Sequence, residues 1–296
     1  ALPIYVGHGR GAAYGSALVS LLRHAGYQVE AEYYVNDAGR QMDILTVSVW
    51  LRYLALCGES FTFHSNGYQG DYIITTARAL LSEQGEALHA SASDVFANVS
   101  ADQVLDASGQ VVSGDKEAHI DDIIVNARQL LGTDKYRLIL DRVLHDILVD
   151  IKEDLAEFGV HYDNWFSERS LMDTGIVDAA LARLEAAGKL YEQGGAIWFR
   201  STDYGDAKDR VVVRDNGIKT YFASDIAYHY DQLAGGYEKV INIWGSDHHG
   251  YIPRVRGSIQ AMGEDDARLE VLLVQFAVLY RGAEKASMSP LRIRRW

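Results

Sequence analysis

Three groups of residues carry types and spacings that suit chemistry. The first is Gly7-His8-Gly9-Arg10-Gly11, a histidine set among glycines just after the apolar Ile4-Tyr5-Val6. Backbone N–H groups at such a turn, where it opens a helix, form a seat for phosphate. The second is Tyr221 and Asp225, which fall on one face at i and i+4 if residues 221–230 are helical. A carboxylate beside a phenol meets the planar fork of a guanidinium better than a compact ammonium. The third is Gly245-Ser246-Asp247-His248-His249, directly after the apolar run Val240 to Trp244. A carboxylate at the C-terminal edge of a parallel strand is placed to accept ribose hydroxyls.

The elements needed to position these groups are legible in the periodicity. Residues 3–6 predict a strand and residues 7–11 a glycine turn. A helix carrying Leu18, Leu21, Leu22 and Ala25 follows and stops at Gly26. Val29, Ala31, Tyr33 and Val35 alternate with polar residues as a strand that ends in Asn36-Asp37-Ala38-Gly39. Ile44, Val47, Trp50, Tyr53 and Leu54 predict a packed helix, and another covers 73–84. Residues 91–119 read as a peripheral connection. From Ile120 to Phe158 the apolar residues recur as one or two long amphipathic helices. A strand near 158–168 and a helix at 176–190 follow, then two strands flanking the acidic turn of Asp203, Asp206 and Asp209. A last strand is expected over 272–279. The fold class is α/β, a Rossmann-like doubly wound parallel sheet with inserted antiparallel and helical segments.

Composition limits the alternatives. The 296 residues are 48 % hydrophobic, with one cysteine and a formal net charge of −13. That charge disfavours a surface that grips nucleic acid throughout and favours cationic ligands. No apolar run reaches membrane-spanning length and no secretory n-region and h-region pattern is read in these residues, so a cytoplasmic protein without membrane contact is expected. Cys57 reads as a core residue, and the acidic run from Asp141 to Glu157 as a solvated helix face. His248-His249 lacks a third ligand at zinc spacing, so no bound metal is expected.

Several strings carry a family resemblance. Val6-Gly7-His8 resembles the end of the His-x-Gly-His motif of class I aminoacyl-tRNA synthetases. Val-Gly-His-Gly-Arg-Gly followed by Tyr34-Val35-Asn36-Asp37-Ala38-Gly39 is similar to arginyl-tRNA synthetases within that class. Gly159 to Glu168 resembles that family's Gly-x-x-[Phe/Tyr]-Asp-x-Trp-x-Ser-Glu, and Gly205-Asp206-x-x-Asp209-Arg210-Val211 its antiparallel insertion. Ala286-Ser287-Met288-Ser289 approaches the Lys-Met-Ser-Lys loop.

The resemblance implies a catalytic core that activates L-arginine with ATP, accompanied by Mg2+, and transfers it to tRNA(Arg). It assigns His8, Tyr5, Met288 and Ser289 to catalysis. ATP would be held by Val6, Gly7, His8, Gly9, Gly245, Asp247 and His248, and arginine by Tyr221 and Asp225, with Asn36 or Asp37 for the α-amino group. Nucleotide-binding halves are expected over about 1–90 and 221–296, with inserted segments over 91–220. The family's N-terminal tRNA-elbow and C-terminal anticodon-binding domains are expected to be absent, and a monomer is expected. The chain departs from the pattern at Tyr5, where the family has histidine, and after Ser289, where Pro290-Leu291-Arg292 replaces the basic continuation. Both departures fall at nucleotide loops, and missing segments are expected there. The rival readings are a paralogue that binds without catalysis and an adenylate-forming relative that never meets tRNA.

Overall fold

The computed structural model describes residues 6–275, 277–278 and 280–285. In chain order they form α1 (Val6–His24), β1 (Glu32–Val35), α2 (Arg40–Leu56), α3 (Asp71–Gln84), α4 (Ala92–Val95), β2 (Val104–Leu105) and β3 (Val111–Ser113). Then come α5 (Lys116–Glu157), β4 (Asn164–Ser167), α6 (Glu168–Asp173), α7 (Ile176–Ala186), β5 (Leu190–Gln193), β6 (Ala196–Phe199) and β7 (Arg210–Val213). The series ends with α8 (Tyr221–Ala234), β8 (Val240–Gly245), α9 (Ile252–Ala261), β9 (Leu269–Val274), β10 (Tyr280–Arg281) and β11 (Glu284–Lys285). The chain divides into two compact units, one of Asp37–Phe158 and one of the residues through Asn36 together with those from Gly159 onward.

The first unit is mainly helical, with the short antiparallel pair β2–β3. Trp50, Tyr53, Leu54, Ile73, Leu80, Ile120 and Ile139 are fully buried where α2, α3 and α5 pack. The two largest of these are polar at one end, and both find acceptors in the α3 exit. Trp50 Nε1 donates to the Leu88 carbonyl at 2.8 Å and the Tyr53 hydroxyl to the Gly85 carbonyl at 2.5 Å. Asp115 caps α5, its Oδ1 accepting from the Glu117 N–H at 2.8 Å. The sequence left open one long helix or two. Gly132, at φ 67° and ψ 175°, kinks α5 into two helical segments, a conformation that essentially only glycine adopts.

The second unit carries the parallel strands. β1 pairs with β4 in register from Glu32↔Asn164 to Val35↔Ser167, and β8 with β9 from Val240↔Leu269 to Gly245↔Val274. Among the described residues these are two separate two-stranded parallel sheets, and β5, β6 and β7 form an antiparallel sheet of three strands. α8 is central to the unit's largest apolar cluster. Its Phe222, Ala223, Ile226 and Ala227 pack with Val177, Ala180 and Leu184 of α7 and with Phe199 and Val212 of the antiparallel sheet. That burial holds the helix bearing Tyr221 and Asp225 against α7 and the antiparallel sheet.

Two local expectations are overturned: the strand expected over 272–279 is β9, Leu269–Val274, which ends before Gln275, and the glycine turn is helical. Residues 7–11 are not a turn, because α1 already begins at Val6 and runs through Gly7, Gly9, Gly11 and Gly15, none of which has positive φ. Glycine weakens a helix by about 1 kcal/mol each but does not forbid one, and extending an existing helix adds a hydrogen bond per residue. Gly15 has a packing reason: a Cβ there would stand 3.0 Å from Ile243 Cδ1 of β8. The predicted stop holds, with Gly26 at φ 94° and Tyr27 N–H returning to the Leu22 carbonyl at 3.1 Å.

Candidate functional site

The centre of the site is Asp225. Thr220 caps α8, its Oγ1 accepting from the Ala223 N–H, and the helix then turns Phe222 and Ile226 to the core and Asp225 to its edge. The Tyr251 hydroxyl donates to Asp225 Oδ2. Among the described residues Asp225 makes no ion pair. Burial raises its pKa above the ordinary aspartate range, and the Tyr251 bond and the charges of His248 and Arg254 pull it partly back. Tyr251 is pushed well up in turn, by burial first and then by Asp225, so its hydroxyl stays protonated and remains a donor.

His229, one turn further along α8, is 3 % exposed. Burial brings its pKa down to about 4, so the ring is neutral at neutral pH. Its Nδ1 lies 2.7 Å from the Asp225 backbone carbonyl, which can only accept, so Nδ1 carries the proton. Nε2 then accepts from Asn242 Nδ2 at 2.6 Å, tying the Asp225 turn of α8 to β8. The ring of Trp244 completes this wall, edge-on to His229 at 6.0 Å, 6.0 Å from Tyr251 and 6.3 Å from His248.

β8 delivers the second group of predicted residues. It ends at Gly245, and Ser246–Tyr251 forms a 3-10 turn carrying Asp247 and His248. Asp247 is 82 % exposed at its side chain, with His248 Nε2 3.6 Å from Oδ2. Gly245 is extended, and a Cβ on it would meet Asp247 Oδ1 at 2.4 Å. Gly245→Ala should therefore displace this exposed carboxylate at little cost to folding, within about 0.5 kcal/mol, while weakening binding of an adenine nucleotide. Equal nucleotide affinity for wild type and variant would separate Asp247 from the ribose role.

α1 lies against the same pair of strands. Besides the Gly15 approach to Ile243, Arg10 Nη1 donates to the Gln275 carbonyl, one residue past β9, at 3.0 Å. The first turns of α1, with Val6, Gly7, exposed His8 and Gly9, therefore reach the C-terminal end of β9, while Asp247 follows the end of β8. The charge of His248 also acts on Asp225, so the turn after β8 and the α8 carboxylate share one locality. Tyr221 opens α8 one turn before Asp225 and is 63 % exposed. Asn36 is exposed just after β1, and Asp37 is buried at the start of the other unit. Tyr5, Met288 and Ser289 lie outside the described residues.

Two networks support the site that the sequence did not disclose. Glu32 of β1 accepts from the Tyr228 hydroxyl at 2.5 Å, from Gln232 Nε2 at 3.1 Å and, through its other oxygen, from Asn164 Nδ2 of β4 at 2.5 Å. It thereby ties α8 to both strands of that pair. Asp206, in the β6–β7 connection, is gripped by Arg210 through two bonds of 2.7 Å and also accepts from Arg254 Nε of α9 at 3.2 Å. The Arg210 hydrogen bonds, opposed by burial, hold the Asp206 carboxyl at about 2. The Arg254 guanidinium lies over the Tyr251 ring, 4.8 Å from its centroid. Nearby Asp209 accepts from the Thr202 N–H and hydroxyl at 3.0 and 2.8 Å, which folds the connection on itself.

Among the described residues no group of three or more His, Cys, Asp or Glu side chains could hold a metal ion. Among them, too, no helix is long and apolar enough to cross a membrane.

No family model matches the chain. The fold places it among α/β proteins with parallel strands that include solved synthetases. A Thermus thermophilus arginyl-tRNA synthetase shares the fold at a TM-score of 0.60 and 18 % identity, over 93 % of this chain and 46 % of that one. A Campylobacter jejuni crystal structure described as an arginyl-tRNA synthetase matches at a TM-score of 0.75 and 33 % identity, over 97 % of this chain and 54 % of that one. Curated relatives called arginine–tRNA ligase are closer in sequence. The one from Hydrogenovibrio crunogenus is 62 % identical and the one from Thioalkalivibrio sulfidiphilus 55 %, each over 97 % of this chain and 48 % of the relative. The chain is similar to arginyl-tRNA synthetases and spans about half the length of the curated relatives it matches.

Proposed function

We propose that this chain is the catalytic portion of an arginine–tRNA ligase, and that its described site captures L-arginine at Asp225 and ATP at the ends of β8 and β9. The observation that carries the reading is Asp225 itself, a desolvated carboxylate with a phenol donor on one oxygen and, among the described residues, no ion pair. A guanidinium supplies the missing charge and, being planar, offers two parallel N–H groups to one carboxylate. The antiparallel sheet and α7 bury the other faces of α8, so the carboxylate is held in place before substrate arrives.

In the first step an oxygen of the arginine carboxylate attacks the α-phosphorus of ATP. The new O–P bond forms as the bond to pyrophosphate breaks, giving arginyl-adenylate. In the second, a hydroxyl of the terminal adenosine of tRNA attacks the arginyl carbonyl and AMP leaves. No protein side chain becomes covalently attached. The chain's work is to align the reactants and to stabilise charge on the phosphates. His8 and the first N–H groups of α1 are the phosphate contacts in this reading, with Tyr5, Met288 and Ser289 completing them. Asp247 takes the ribose, and Asn36 or Asp37 the α-amino group. Mg2+ comes with ATP and needs no ligand cage of the protein's own.

The parallel pairs β1–β4 and β8–β9 belong, on the same reading, to one doubly wound nucleotide-binding arrangement, with the antiparallel strands as an insertion. A cytoplasmic monomer is the expected form. Calorimetric titration with arginine, citrulline and lysine tests the substrate. Heat with arginine alone supports a pocket that reads a charged, planar group. Equal responses to arginine and citrulline would remove the charge at Asp225 from recognition.

A further inference from the structure

We propose that Asp206 is a tether that keeps Arg254 from acting as a resident substitute for the substrate guanidinium at Asp225. The inference rests on Asp225 being the arginine-binding carboxylate. Any site built to capture a free guanidinium must prevent the protein's own arginines from filling it, and among the described residues Arg254 is placed to do so. Its guanidinium lies on the face of Tyr251, whose hydroxyl bonds Asp225, and its charge already acts on that carboxyl group. Among the described residues it nevertheless makes no ion pair with Asp225, and pairs instead with Asp206.

The backbone beneath Arg254 is fixed. A Cβ at Gly257, one turn along α9, would meet Tyr204 Cβ at 2.6 Å, so α9 lies directly on the Ser201–Tyr204 turn that precedes Asp206. Only side-chain torsions then decide which carboxylate Arg254 takes, and an arginine stem has several of them. Asp206 settles the choice because its side chain is 6 % exposed and its second arginine, Arg210, locks it by two bonds. A carboxylate so held cannot follow Arg254 towards Asp225. The Gly205-Asp206-x-x-Asp209-Arg210 string thus keeps Arg254 off Asp225 from a different element of the fold.

Without the tether, substrate affinity is divided by the fraction of molecules in which Asp225 is free. Asp206→Asn should weaken arginine binding about tenfold in calorimetry, and Asp206→Asn combined with Arg254→Gln should restore it to within about threefold of wild type. Restoration by a second substitution distinguishes competition from damage to the β6–β7 connection, which removing Arg254 cannot repair. Arg254→Gln alone, which leaves the Asp206–Arg210 pair intact, should bind arginine at least as tightly as wild type and gives a reading even if Asp206→Asn does not fold. Unchanged affinity in a folded Asp206→Asn, a double variant as weak as the single, or a tenfold loss in Arg254→Gln would each overturn the tether. Failure of the wild-type protein itself to bind arginine is a separate outcome, and it would remove the substrate assignment first.

Discussion

Asp225→Asn should weaken arginine binding by about 2 kcal/mol or more, at least about thirtyfold in Kd by calorimetry. The substitution preserves shape and leaves the Tyr251 hydroxyl an acceptor, so the loss isolates the charge. What makes it large is desolvation: the same burial that raises the Asp225 pKa removes the water that would otherwise solvate an unpaired guanidinium. Unchanged affinity would take Asp225 out of the site. The pH dependence has two parts of opposite sign. On the proposed reading arginine pairs with the ionised carboxylate, so affinity should fall as pH drops, beginning at a higher pH than for an ordinary aspartate because the folded pKa is raised. In the arginine-free protein a raised folded pKa means that ionised Asp225 opposes folding, so its contribution to stability improves as pH falls. Comparing wild type with Asp225→Asn across pH separates this group from Asp206, whose depressed pKa makes its stabilisation fade as the pH is lowered towards about 2.

Local pattern disclosed the elements of this site, and long-range pairing supplied what pattern could not. The i, i+4 placement of Tyr221 and Asp225 follows from helical spacing and holds in α8. The strands on either side of the acidic turn follow from their apolar runs and hold as β6 and β7. The glycines at 7, 9 and 11 misled because glycine permits a turn without requiring one, and nothing local says that Gly15 must lie against Ile243 of β8. Tyr251 reaches Asp225 across 26 residues, Arg254 reaches Asp206 across 48, and Tyr228 reaches Glu32 across 196. No periodicity links such pairs. His229 was invisible for another reason. A lone histidine on a helix has no spacing signature, and its role depends on which nitrogen faces the Asp225 carbonyl and which faces Asn242.

Glu32→Ala should be among the most destabilising substitutions near the site, at about 3 kcal/mol in denaturant unfolding. One carboxylate satisfies donors from α8 and β4, and the ring of Tyr228, whose hydroxyl it accepts from, packs against those of Tyr34 and Phe166, each 4.8 Å away between centroids. Removing the acceptor leaves that buried hydroxyl and the Asn164 and Gln232 amides without the partner that organised them, and an unmet buried donor costs more than the bond it replaced. Tyr228→Phe removes one donor to Glu32 and the hydroxyl that accepts from Gln232 Nε2 at 2.8 Å, but it leaves Glu32 bonded to Asn164 and Gln232 and should cost about 1 kcal/mol. The order matters more than either value. Equal losses would mean that Glu32 serves Tyr228 alone. The expected inequality would mean that it fastens α8 to both strands of the β1–β4 pair. Asp225 lies one turn from Tyr228, so Glu32→Ala should also weaken arginine binding, whereas Tyr228→Phe, with the fastening kept, should leave it within about threefold of wild type.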